Sequence, residues 1–79
     1  MDDAGILNHI EQLVEEEHTL LRIDDEVRPP DQHARLKAVE VELDQCWDLL
    51  RQRRARREFG ENPDDASVRD EGTVEDYLQ

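Results

Sequence analysis

Five arginines fall within seven consecutive positions, Arg51-Gln52-Arg53-Arg54-Ala55-Arg56-Arg57. Guanidinium groups at that density bind phosphates, so the first chemistry to weigh is nucleic-acid contact. No aromatic residue is interleaved with the arginines to stack on a base. The chain also carries 22 acidic residues against 10 basic, a net charge of −12, which repels nucleic acid and anionic membrane at long range. Acidic stretches flank the cluster on both sides, at the chain start and in the last nineteen residues. Arg51, Arg53, Arg54, Arg56 and Arg57 therefore read as a docking surface for acidic segments, first of all the protein's own tail. Nucleic-acid binding through residues 51–57 is the alternative.

A second constellation has the residue types of a metal site. Glu15-x-x-His18 matches the spacing used in carboxylate-bridged di-metal bundles, and Glu17 and Glu40 could join it across a helix pair. On a helical wheel, however, Glu15 and Glu17 point about 160° apart, so Glu15 and His18 do not both face a core. One such motif in a glutamate-rich helix is weak, and a small metalloprotein using Glu17, His18 and Glu40 stays a second alternative. His9 reads as a packing residue near Trp47, and Cys46 as a small buried hydrophobe. Ser67 is the one serine, and there is no Gly-rich phosphate loop. These residues predict a protein that is not an enzyme and needs no cofactor or metal.

The elements that position these side chains follow from apolar spacing. Ile6, Leu7, Ile10, Leu13, Val14, Leu20 and Leu21 recur at intervals of three and four, the mark of an amphipathic helix from about 4 to 25, with Asp3 as its cap. Glu17 interrupts the apolar stripe and is expected to pair with an Arg or Lys of a second helix. Pro29-Pro30, within a hinge at residues 27–31, turns the chain. A second helix follows from about 31 to 59, stopped by Gly60. Its stripe is Leu36, Val39, Leu43, Cys46, Trp47 and Leu50, beyond which arginines occupy the same positions. Folding at the hinge pairs Ile6 with Leu50, Ile10 with Cys46, Leu13 with Leu43 and Leu20 with Leu36. Residues 51–59 then overhang the first helix by roughly 13 Å. The tail, residues 61–79, holds seven acids and one basic residue, Arg69; it reads as extended, with one or two short helical turns.

The expected fold is all-α: an antiparallel two-helix hairpin with a partly ordered acidic C-terminal tail. Its apolar seams are too small to stabilise an isolated protomer, and Cys46, the only cysteine, has no disulfide partner. Self-association is the remaining staple, as a coiled-coil-like homodimer forming a four-helix bundle with Leu13, Leu20, Leu36, Leu43, Trp47 and Leu50 in the shared core. Trp47, the largest apolar group, is the expected core or interface anchor. The start, Met1-Asp2-Asp3-Ala4-Gly5, has the form of neither a signal peptide nor a membrane span, and a single unpaired cysteine suits the reducing cytoplasm.

Residues 43–57, preceded by His33-Ala34-Arg35-Leu36, resemble a group of short actinobacterial proteins gathered as a domain of unknown function. Ile6-Leu7, Glu16-Glu17-His18, Pro63, Val68-Arg69 and the ending Val74-Glu75-Asp76-Tyr77-Leu78-Gln79 share the resemblance. It implies a helical, cytoplasmic, actinobacterial protein and brings no activity with it. The terminal Gln79 invites comparison with the prokaryotic ubiquitin-like modifier, but the diglycine that modifier needs is absent. The functional expectation is a non-enzymatic protein–protein interaction or regulatory module, with an acidic protein segment as a possible partner.

Overall fold

A computed structural model describes residues 2–78, with side chains through Val74. The described chain is mostly helical, with three α-helices and no strand: α1 (Asp3–Leu21), α2 (Pro30–Glu58) and α3 (Glu71–Leu78). Single 3-10 turns at Asp25–Val27 and Pro63–Asp65 lie in the two connections.

Asp2, not Asp3, caps α1, its carboxylate accepting from the Gly5 N–H at 2.8 Å. That places Asp3 in the first helical turn, with its own carboxylate available to other partners. The helix ends at Leu21, four residues before the expected end at 25. Arg28 provides the reason. Its side chain is only 4% exposed and folds back, Nε donating to the Leu20 carbonyl at 3.1 Å and Nη2 to the Ile23 carbonyl at 2.7 Å. Carbonyls left unpaired by a terminating helix need such donors. A third contact, Nη1 to Asp25 at 3.0 Å, ties Arg28 to the 3-10 turn.

The chain thus reverses about the Asp25–Val27 turn rather than at Pro29-Pro30, and the helix pairing shifts with it. Glu16 pairs with Arg35 and His9 lies 4.0 Å from Glu42, about five residues lower on α2 than the Pro-centred fold sets them. The ion pair expected of Glu17 is made by its neighbour Glu16, with Arg35 Nη2 at 2.7 Å from Glu16 Oε1. Pro30 starts α2, where its missing N–H costs no hydrogen bond. Gly60 stops it with φ +71°: the Glu61 N–H reaches the Arg56 carbonyl at 2.7 Å and the Gly60 N–H the Arg57 carbonyl at 3.2 Å.

Ile6, Ile10 and Leu13 of α1 pack with Val39 and Leu43 of α2, and Val14, Leu20, Cys46, Leu49 and Leu50 flank them half-buried. Leu36 is also buried. Trp47 is not in this core; it is 45% exposed. Trp47 lies about 80° round α2 from Val39, at the margin of the side that meets α1, and so comes to the open edge.

The tail is more ordered than the sequence suggests. After Pro63–Asp65 the chain crosses α2 without regular structure through residues 66–70, then forms α3. Asp70 caps that helix, accepting from the Thr73 N–H at 2.8 Å, which holds its carboxyl below the usual range. Val74 is buried, and α3 packs against α2. The expected tail side chains Tyr77 and Leu78, and Gln79 itself, lie outside the described side chains.

Candidate functional site

Three features stand out among the described residues: an arginine junction, a buried carboxylate and an open apolar edge.

The junction is built where the end of α2 meets the start of α1. Arg53 occupies a core-facing position of α2, and its side chain is only 8% exposed. Its Nε donates to Asp3 Oδ1, and its Nη1 donates to Asp64 Oδ1 at 3.0 Å and to the Pro63 carbonyl at 3.2 Å. Arg57, one turn on, reaches the other Asp3 oxygen at 2.6 Å. With Arg57 as the larger cause and Arg53 the next, the Asp3 carboxyl is lowered to about 2. Arg56 pairs with Glu61 at 3.2 Å, and Arg54 with Glu58 at 3.4 Å along the helix. Arg51 is exposed on the same helix. Of the residues expected to overhang α1, Arg53 and Arg57 are therefore engaged by the first turn of α1, and Arg53 and Arg56 by the chain after Gly60. Their long side chains span the offset that the shorter helix leaves.

The buried carboxylate is Asp48, with no exposed surface. Arg69 forks onto it, Nε to Oδ2 at 2.9 Å and Nη2 to Oδ1. Gln52, one turn away on α2, donates to Oδ2 at 2.9 Å. Arg69, the larger cause, and Gln52 hold the Asp48 carboxyl below its ordinary value against the opposing effect of burial. Both glutamines of this strip also grip the tail's main chain: Gln52 donates to the Ser67 carbonyl at 2.8 Å and Gln45 to the Arg69 carbonyl at 3.2 Å. Sequence reasoning missed this site. The available signal was Arg69, the one basic residue in an acidic tail, because a lone cation among acids needs a specific anion to define its place.

Of the residues expected in a shared core, Leu13, Leu36 and Leu43 are buried, Leu20 and Leu50 are half-buried, and Trp47 is exposed. By helical spacing Trp47 falls on the same side as Leu7 and Leu21, 47% and 52% exposed, on the edge of the helix pair opposite the groove lined by His9 and Leu49. Leu7, Val14 and Leu21 recur every seven residues along α1, so one side of that helix presents a continuous apolar row. On the tail side, an apolar groove of about 220 Å³ opens between Ile6, His9, Cys46, Leu49 and Val68. Burial there pushes the Cys46 thiol up.

Glu15, His18 and Glu40 are exposed and Glu17 is half-buried; they do not converge. Among the described residues no three His, Cys, Asp or Glu side chains form a group able to hold a metal ion. Nor is any described helix long and apolar enough to cross a membrane.

A family model described as "Protein of unknown function (DUF2630)" matches residues 2–79. The chain belongs to that family. Similar proteins include uncharacterized proteins of Mycobacterium tuberculosis and Mycobacterium bovis, each 46% identical over 78 residues, covering 95% of this chain and 88% of the relative. No solved structure matches the chain. Membership in this DUF2630 family agrees with the actinobacterial resemblance and assigns no activity.

Proposed function

We propose that the protein is a non-enzymatic interaction module, working in the cytoplasm, whose antiparallel hairpin of α1 and α2 self-associates into a four-helix bundle. The open apolar edge carries this reading. The Cα atoms span 49 × 25 × 16 Å, so the molecule is thin in one direction, whereas stable domains bury their apolar faces between at least two packed layers. Leu7, Leu21 and Trp47, each about half exposed, are the side chains a second layer would cover.

The charges flanking Trp47 favour a second copy as that layer. Glu40 and Asp44 precede it by two turns and one turn, and Arg51 and Arg54 follow at matching distances on the same side of α2. A twofold axis at Trp47, with the two α2 helices antiparallel, sets the acids of one copy against the arginines of the other. Such self-complementarity is what an isologous interface needs. Arg54, now in an exposed pair with Glu58 at 3.4 Å, loses little by changing partner.

Trp47 is the only tryptophan, so its fluorescence reports this edge directly. Dilution from high micromolar concentration should shift its emission to longer wavelength as the edge returns to water. Emission that stays constant on dilution, at the wavelength of a half-exposed indole, refutes the self-associating module.

A further inference from the structure

Residues 66–70 have no regular structure of their own, yet α2 holds them in the manner of a bound peptide. Gln52 and Gln45 take the carbonyls of Ser67 and Arg69, two residues apart. In an extended strand, carbonyls at that spacing lie on the same edge. Gln45 and Gln52 themselves stand two turns apart on α2, roughly 10.5 Å. These two contacts accept any sequence, because every residue offers a carbonyl. Sequence is read at two other points. Val68 sits on the apolar groove beside Ile6, Cys46 and Leu49, and Arg69 forks onto Asp48.

We propose that this strip of α2, Gln45, Asp48, Leu49 and Gln52, is a binding site for an extended segment of a partner protein in which an apolar residue precedes an arginine, and that residues 67–69 are the intramolecular ligand occupying it. Asp48 dictates the chemistry of the occupant. A carboxylate with no exposed surface is strongly disfavoured without a cation. A displacing segment must therefore bring its own, and only a guanidinium satisfies both oxygens at once. The resident segment is suited to displacement. Val68 remains 61% exposed, and the connection to α2 passes through Phe59, 80% exposed, and Gly60. The tether gives the resident segment an effective concentration in the millimolar range, so the intact chain should resist outside peptides until the internal arginine is lost. The strip lies on a different face of α2 from Trp47, and this inference stands independently of self-association.

The test uses the full chain and a fluorescein-labelled synthetic peptide of residues 61–79, read by anisotropy. Arg69→Ala in the chain should raise affinity for the peptide on the order of tenfold or more over the intact chain. The same substitution placed in the peptide should abolish binding to that variant, as should adding Asp48→Asn to the chain. If circular dichroism shows Arg69→Ala to be unfolded, Arg69→Lys, which keeps a cation but loses the fork, takes its place and should show a smaller gain of the same sign. The proposal is overturned if the folded variant binds the peptide no better than the intact chain, or if binding is indifferent to Asp48 or to the peptide's arginine.

Discussion

Removing Arg69 and removing Asp48 delete the same ion pair but should not cost the same. Asp48 has no exposed surface, whereas the Arg69 side chain is 40% exposed. Arg69→Ala therefore strands a carboxylate away from water, leaving it the Gln52 amide. Asp48→Ala removes the carboxylate itself, and the guanidinium it leaves is already 40% exposed rather than shut away from water. Breaking a buried pair from one side costs about 3–5 kcal/mol. Here one partner is half open, so about 2–3 kcal/mol is the appropriate scale for Arg69→Ala. For Asp48→Ala no buried charge is left unpaired, and the loss is the net worth of an ion pair half open to water, about 1–1.5 kcal/mol. The double variant should resemble Asp48→Ala, since deleting the stranded carboxylate relieves the cost of losing its partner. In a domain of this size each kcal/mol moves Tm by about 4–8 °C, so the two single variants should differ by several degrees in thermal denaturation followed by circular dichroism. All three must be measured at one protein concentration, because association shifts apparent stability. The pH dependence should also invert. In the intact chain the lowered Asp48 carboxyl contributes stability that is present above its ordinary value of 3.8 and fades as pH falls below it. In Arg69→Ala, burial raises that carboxyl, and mild acid should stabilise the variant relative to neutral pH. Equal costs for the two single variants, or a double variant worse than Arg69→Ala, would refute the asymmetric burial on which this rests.

Three further outcomes are expected. Arg54→Glu should weaken self-association, and adding Glu40→Arg to the same chain should restore it, because the twofold arrangement pairs those positions across copies; analytical ultracentrifugation at low salt reads both, and absence of rescue removes that geometry. Between pH 3.8 and about 2 the intact chain should lose stability as the lowered Asp3 carboxyl takes up its proton, and Asp3→Asn should flatten that part of the Tm profile. Arg28→Ala, which uncovers the carbonyls of Leu20 and Ile23, should destabilise the chain by about 2 kcal/mol and speed amide hydrogen exchange in the last turn of α1.

Helical content was legible in the residues because apolar spacing alone decides it: Ile6, Ile10 and Leu13 on one side, Leu36, Val39 and Leu43 on the other. What escaped was the pairing between the helices. It depends on where the chain reverses, and the prolines draw attention away from Arg28, whose capping of α1 is a tertiary event with no local pattern. The five-residue shift that follows gives the ion pair expected of Glu17 to Glu16, while Trp47 is exposed because it stands at the margin of the α2 stripe. The acidic surroundings of residues 51–57 pointed to counter-charges within the chain, and Asp3, Glu61 and Asp64 supply them. Asp48 was not legible, because a carboxylate in a charge-rich helix resembles a solvated residue until the tail is laid over it.

The mass of the protein in solution bears most directly on the proposal that a second copy covers the edge formed by Leu7, Leu21 and Trp47. Sedimentation equilibrium of the intact chain at micromolar concentration should give twice the 9.3 kDa of one chain, and Trp47→Glu should give a folded species of single mass. A folded intact chain of 9.3 kDa across that concentration range would contradict it.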